Sequence, residues 1–331
     1  MKTLSEVFTI ENLLVSHKKC RRCKQHKREV VVFELNLFEN LLKIRNEILN
    51  KTYTIKHYRV FEVYEPKKRT IESLSYKHRV IQRCLCDFLL KETLEPYLIF
   101  DNAACRENKG TDFARNRLKG FIKKFFVKFG FEGYYLKCDI KKFFPSIDHN
   151  ILKEKLKKIF SEEIMWLLCV FIDSINNVGL PIGNQTSQWF ALVLLNDLDH
   201  FVKETLGCKY YIRYMDDIVI IHHDKEFLRN CKKIILHIVK GLNLSLNSKT
   251  KISKLSEGID FLGFKYKIKD KKVGSWLGRL AKARLKRSSK KIYQKYLYGF
   301  YSIEKTINYL FSYKKYLVRC KNKKLYKKFH I

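Results

Sequence analysis

Two neighbouring acids in the middle of a strand-forming run constrain this chain more than any other feature. The segment KYYIRYMDDIVIIHH is rich in β-branched and aromatic residues, which reads as strand, tight turn, strand, yet Asp216 and Asp217 interrupt it. Adjacent residues of a regular strand face opposite ways, so both carboxylates approach one point only if the backbone turns at Met215 and Asp216. A second intrusion occurs in LKCDIKKFF, where Asp139 lies within an apolar strand. An unpaired buried carboxylate costs several kcal/mol, so each segment needs a cation. Side by side, the two segments collect three carboxylates, about the set that holds two Mg²⁺ ions ~4 Å apart. Such a pair activates an attacking hydroxyl and stabilises a leaving pyrophosphate, which is the chemistry of nucleotidyl transfer. The plainer alternative makes the Asp-Asp pair an ordinary hairpin turn and gives Asp139 a lysine partner.

Charge points the same way. The chain has 331 residues, and 68 Lys and Arg against 33 Asp and Glu give a formal charge of +35. A polyanion is the natural partner, bound strongly at low salt and weakly at high salt because counterions are released. Hydrophobic residues make up 46% of the chain, enough for a sizeable core, so disorder is excluded as the default. Ten cysteines, several in apolar runs (Cys84, Cys86, Cys169, Cys208), read as buried thiols of a reducing compartment. The N-terminal stretch carries acids where a signal peptide needs an apolar run, and no window approaches a membrane span. A cytoplasmic protein without a membrane partner is the expectation.

With only four prolines and thirteen glycines, no flexible linker divides the chain. The spacing predicts helices over 33–50, 76–95, 111–129, from about 149, and over 185–206. YRVFEVYEPKKRTIESL predicts a hairpin around a Pro-Lys-Lys-Arg turn, and the last 60 residues predict a basic helical bundle. The coarse answer is mixed α/β (α+β) with an all-α basic tail.

Tyr214-Met215-Asp216-Asp217 resembles the YxDD box of reverse transcriptases, and four further blocks follow the family's order: DIKKFFPSIDH, GLPIGNQTSQ, GLNLSLNSKTK and Phe261-Leu262-Gly263-Phe264. Five blocks in order, within residues of about 30 to 270, make this resemblance specific. It implies a right-hand polymerase with fingers, a palm of antiparallel sheet plus helices, and a helical thumb. The corresponding boundaries are a basic N-terminal arm at 1–30, fingers at 31–130, palm at 131–268 and thumb at 269–331. It further implies that Asp139 and Asp216 are metal ligands, that Asp217 is a supporting acid, and that Ile140 contributes a backbone carbonyl. Two Mg²⁺ ions, replaceable by Mn²⁺, are the implied cofactors. Phe144 falls at the family's steric gate, which excludes a ribose 2′-hydroxyl. Lys68 and Arg69, in EPKKRTIESL, match the fingers hairpin that grips the incoming dNTP triphosphate, and guanidinium suits phosphate by donating paired hydrogen bonds. DNAACRENKG resembles the next fingers block, with Arg106 and Lys109 facing phosphates or template. Lys249 matches the proposed proton donor to pyrophosphate, and Phe261, Leu262 and Gly263 the primer grip. Lys282, Arg284, Lys286 and Arg287 are expected to contact the template and primer backbone.

The branch of the family is carried by GLPIGNQTSQ. Many reverse transcriptases have Gln-Gly at the place of Ile182-Gly183 and Ser-Pro at the place of Ser187-Gln188. The pattern I-G-N-x-x-S-Q resembles instead the enzymes of diversity-generating retroelements, prokaryotic or phage-encoded systems that miscopy adenines of a template RNA. An apolar Ile182 beside the nascent base pair forgoes a hydrogen bond worth ~1 kcal/mol, which fits reduced fidelity. The implied partners are the template repeat RNA with its structured flank, cDNA and primer, dNTPs, and a small basic accessory variability protein, usually a pentamer. A stand-alone phage-defence enzyme of abortive-infection type is the alternative; a retron or group II intron enzyme fits less well, since no Val-Thr-Gly triplet or appended nuclease pattern is found, and too few acids follow residue 270 for an RNase H site. His17, Cys20, Cys23 and His26 are spaced like zinc ligands, but lysines and arginines from Lys18 to Arg28 oppose a cation, so an RNA-binding or accessory-protein-binding arm is expected.

Overall fold

A computed structural model describes residues 2–64, 68–175 and 177–319. The carboxylate-bearing segments lie in a four-stranded antiparallel sheet of order β4-β5-β3-β6, with β3 Tyr134–Asp139, β4 Tyr210–Tyr214, β5 Asp217–His222 and β6 Lys251–Lys254. Two further sheets flank it in sequence: the hairpin of β1 Arg59–Val63 and β2 Arg69–Ser73, and the meander of β7 Ile259–Phe261, β8 Phe264–Lys269 and β9 Lys272–Leu277.

Alternation along the strands divides the core in two. Leu136, Cys138, Tyr211, Ile218 and Ile220 face the larger apolar cluster, where the helices Gln185–Leu194 and Lys225–Gly241 contribute Phe190, Leu192, Leu228 and Ile235. Tyr135, Ile212, Val219 and Ile221 face a second cluster formed with the helix Thr111–Phe129 and the β7–β9 sheet, which contribute Leu118, Phe125, Phe261 and Phe264. By the same alternation, Lys137, Asp139 and Asp217 belong to this second face, at the end of the sheet towards the Met215–Asp216 turn.

Several sequence expectations are matched and several are revised. The β1–β2 hairpin forms as read, although residues 65–67 of its turn lie outside the described residues. The helix expected over 33–50 is two helices, Arg28–Leu35 and Leu37–Leu49, because Asn36 leaves the helical region at φ −123°, ψ 48°. That over 185–206 is interrupted at Leu195 and ends in a wider-wound turn at 201–205. The tail is not all helix: β9 is a strand whose Lys272–Leu277 register onto β8 precedes the helices Arg279–Leu297 and Ile303–Arg319. Lysine-rich composition masked its alternation. Residues 320–331, the end of the expected bundle, lie outside the described residues.

Residues set apart as a basic arm are helical at Leu4–Val7 and Ile10–Arg21, and Leu4, Val7, Phe8 and Leu13 are fully buried. Within that segment His17 is buried, facing the Tyr76 hydroxyl at 3.0 Å through Nδ1 and Glu34 at 3.1 Å through Nε2. The Cys20 thiol donates to the Arg79 carbonyl, and Cys23 is exposed. Both His17 nitrogens therefore serve packing. Cys84, Cys86 and Cys208 are buried thiols and Cys169 is half-buried. Among the described residues no helix is long and apolar enough to cross a membrane.

Candidate active site

The β3–β5 register decides the site. Asp139 lies directly opposite Asp217, so the two side chains leave the same face of the sheet from Cα atoms roughly 4.5–5.5 Å apart. Tyr214 pairs with Asp217, which leaves Met215 and Asp216 as a two-residue turn. Met215 adopts φ 54°, a left-handed conformation costing a non-glycine residue on the order of 1 kcal/mol, and strain of this kind collects at functional sites.

The turn is held from beneath by a residue that the sequence reading passed over. Arg213 is completely buried, and its Nη1 donates to the Met215 carbonyl at 3.0 Å. Its Nε and Nη2 donate to the two carboxylate oxygens of Asp199, also fully buried, at 2.7 and 2.6 Å. The Tyr211 hydroxyl donates to the same carboxylate. An arginine inside the apolar run YYIRYM was the available signal.

Asp217 is in an environment that a cation would relieve. Its side chain is 19% exposed, and burial, with the charges of Asp216 and Asp139 adding to it, pushes its carboxyl up to about 6 despite the opposing Lys137 ammonium. Lys137 Nζ lies 3.3 Å from Asp217 Oδ1, yet that buried oxygen accepts no hydrogen bond. The lysine foreseen for Asp139 is thus found on its cross-strand neighbour. Among the described residues no three His, Cys, Asp or Glu side chains close on a common point, so the fit to divalent metal rests on the Asp139–Asp217 pair and on Asp217 Oδ1, which faces the Lys137 ammonium without accepting a hydrogen bond.

The remaining expected residues divide. The backbone around Asp139 is braced by the GLNLSLNSKTK segment: Asn247 N–H donates to the Asp139 carbonyl at 2.7 Å, Lys141 N–H donates to the Ser245 carbonyl at 2.8 Å, and Ile140 bridges Leu246. Ile140 is buried; Lys249, exposed two residues beyond Asn247, is carried close to this edge. Half-buried Phe144 accepts the Leu180 N–H at its carbonyl (2.9 Å), which joins the gate position to the GLPIG turn. That turn docks on the β1–β2 hairpin, because Glu72 N–H donates to the Ile182 carbonyl at 3.2 Å. Gly183, at φ 134°, is required there: a Cβ would sit 2.9 Å from the Glu72 carbonyl oxygen. Arg69 is exposed on β2, whereas Lys68 pairs with Glu62 at 2.7 Å. The half-buried Gln188 carboxamide receives the Cys105 thiol at 2.6 Å.

Arg106 and Lys109 both make contacts within their own loop. Arg106, with a side chain only 6% exposed, donates to Glu95 and to the carbonyls of Ile99 and Asn102, so it braces its own loop. Lys109 donates to the Phe100 carbonyl at 2.7 Å and lies over the Phe100 ring; burial, assisted by Arg106, lowers its pKa to about 8. The basic pattern of the sequence does not reveal which of these cations folds inward. Leu262 and Gly263, at φ 46° and 84°, form the two-residue turn between the buried Phe261 and Phe264. On the helix Arg279–Leu297, Lys282, Lys286 and Arg287 are exposed, Arg284 is half-buried and Leu285 faces the core.

A family model described as reverse transcriptase (RNA-dependent DNA polymerase) matches residues 56–266, a span that includes β1 through β7 and the first half of β8. The fold is similar to that of telomerase from Candida albicans in complex with a TWJ fragment of telomeric RNA, with TM-score 0.50 and 12% identity over 69% of this chain and 46% of that one. It is equally similar to apo telomerase from Candida tropicalis truncated from the C-terminal domain, with TM-score 0.50 and 15% identity over 69% of this chain and 58% of that one. The chain thus spans about half the length of these telomerases. No curated protein matches it. With a family match extending over more than half of its residues, on a right-hand polymerase fold, the chain belongs to the reverse transcriptase family.

Proposed function

We propose that this chain extends a primer 3′-end with dNTPs on an RNA template, as the error-prone, adenine-miscopying enzyme of a diversity-generating retroelement. The observation that carries the polymerase reading is the Asp139–Asp217 cross-strand pair beside the Met215–Asp216 turn. Asp139, Asp216 and Asp217 would hold the metal, with the Ile140 carbonyl as a further ligand. Bound there, divalent ions would supply a lowered pKa for the attacking hydroxyl and charge neutralisation for the leaving pyrophosphate. Exposed Arg69 would receive the triphosphate and the Phe144 ring would stand against the sugar 2′-position. Lys249 would hold a proton for pyrophosphate. The Leu262–Gly263 turn would seat the primer end, and the thumb cations would follow the duplex backbone.

The diversification reading is supported by Ile182-Gly183 and Ser187-Gln188. Ile182 carries no side-chain donor or acceptor, so selectivity beside its position would depend on base pairing and shape. The template repeat RNA, its structured flank and a pentameric accessory protein are the partners this reading entails. Purified protein extending a primer on a defined RNA in Mg²⁺, with the cDNA sequenced, tests both levels. Misincorporation concentrated opposite template adenines is expected, and errors spread evenly over the four bases would remove the diversification role. Asp216→Asn should abolish incorporation while leaving RNA affinity within about twofold, because the site's metal chemistry is lost and the basic surface is not. An Asp216→Asn variant that still polymerises would overturn the assignment of the metal site to these acids, and a wild-type protein that incorporates no dNTP would remove the polymerase reading.

A further inference from the structure

The hairpin that carries the Leu262–Gly263 turn is tied to the rest of the molecule through its own main chain. Arg115, in the first turns of the helix Thr111–Phe129 and only 7% exposed, donates from Nη2 to the Leu262 carbonyl at 2.9 Å. Its Nη1 donates to Asp112 at 3.2 Å, and its guanidinium carbon lies 4.4 Å from the centre of the Phe264 ring. Lys137, on β3, donates from Nζ to the Asp260 carbonyl at 2.6 Å while standing 3.3 Å from Asp217. On the far side Gly278 N–H donates to the Gly263 carbonyl at 3.0 Å. Three carbonyls within four residues are thereby fixed by donors from three different elements.

We infer that Arg115 and Lys137 are positioning residues that set the offset between the Leu262–Gly263 turn and the Asp139–Asp217 pair. The inference rests on the polymerase reading above and adds to it the parts that give the site its spacing. An apolar contact could hold this hairpin with equal stability, since ionic groups placed in a protein interior bring little net stabilisation. Directional donors to main-chain carbonyls fix length and angle as well. Because they grip backbone, they define where the turn stands whatever its side chains are. Lys137 spans the gap directly, with one carboxylate oxygen of the site and one carbonyl of the hairpin on the same ammonium. A displacement of ~1 Å between reacting groups costs on the order of 10²-fold in rate.

The test compares wild type, Arg115→Met, Arg115→Lys and the exposed-site variant Asp112→Asn in primer extension on RNA, with thermal unfolding and the active fraction measured on each preparation. Arg115→Met should lower kcat per active enzyme, or raise KM for primer-template, by at least about tenfold, while KM for dNTP stays within about twofold. Arg115→Lys, which retains a donor for Leu262, should recover part of that loss. Asp112→Asn frees one anchor of the guanidinium and should shift the same parameter by a smaller factor; it keeps the inference testable if Arg115→Met does not fold. Unchanged primer kinetics in Arg115→Met, or in Asp112→Asn where that must stand in, would overturn the inference and leave the polymerase reading intact. So would a loss that only follows the folded fraction. Failure of wild type to incorporate any dNTP would remove the polymerase reading, and this inference with it.

Discussion

At the scale of the residue, Asp217 shows how a site can be paid for in stability. Burial raises its carboxyl from an ordinary value near 3.8 to about 6. A raised carboxyl binds its proton more tightly in the folded than in the unfolded state, so its contribution to stability is present below about 4 and is lost as pH rises through about 6. At neutral pH the metal-free protein carries that penalty. Asp217→Asn removes the charge at nearly constant volume, and should raise the unfolding free energy of the metal-free protein above pH 6 by on the order of 1–3 kcal/mol. Near pH 4 the difference should largely vanish. The variant should also lose most of the stabilisation that wild type gains from Mg²⁺. Denaturant titrations at pH 4, 6 and 8, with and without Mg²⁺, measure all three outcomes, and an Asp217→Asn protein no more stable than wild type at pH 8 would contradict the argument.

At the scale of the element, the β4–β5 hairpin depends on a fully buried ion pair. Arg213 satisfies Asp199 with two donors and the Met215 carbonyl with a third, so its removal leaves an uncompensated carboxylate beneath the turn. Arg213→Met should destabilise the fold by roughly 3–5 kcal/mol, and the double change with Asp199→Leu should recover part of that cost. Denaturant midpoints of the two single variants and the double variant give the coupling. A double variant at the additive sum would dissociate the pair from the hairpin. This element also marks how far sequence reached. The hairpin, its turn and the approach of Asp139 were legible, because period-two apolar runs leave an acid conspicuous. Arg213 and Asp199 were not, since their partnership spans the step from the helix Asn196–His200 to β4 and has no periodic signature. The inward bonding of Arg106 was not legible for the same reason: a basic loop residue looks alike in sequence whether it meets solvent or, as here, Glu95 and two carbonyls. β9 was not legible because it is a short segment, KVGSWL, set between Lys271 and the basic helix Arg279–Leu297.

At the scale of the molecule, the charge of +35 is unevenly committed. Arg213, Arg106 and Arg115 are spent inside on fixed partners, whereas Lys282, Lys286 and Arg287 remain exposed on a helix whose Leu285 and Ile292 turn to the core. Only cations of the second kind can exchange counterions for phosphates. Affinity for single-stranded RNA should therefore fall linearly in log–log plots against salt, with a slope of about −0.7 per phosphate neutralised. The combined change of Lys282, Lys286 and Arg287 to Gln should flatten that slope by roughly two, if each cation meets one phosphate. Binding at low salt should weaken by a similar factor on unrelated RNA sequences, because phosphate contacts carry no base information. Fluorescence anisotropy from about 50 to 300 mM KCl resolves the two slopes, and identical slopes for wild type and the triple variant would move the RNA path off this helix. The same titration separates the two tasks that positive charge performs here, since Arg115→Met should leave the slope untouched while changing what happens at the primer end.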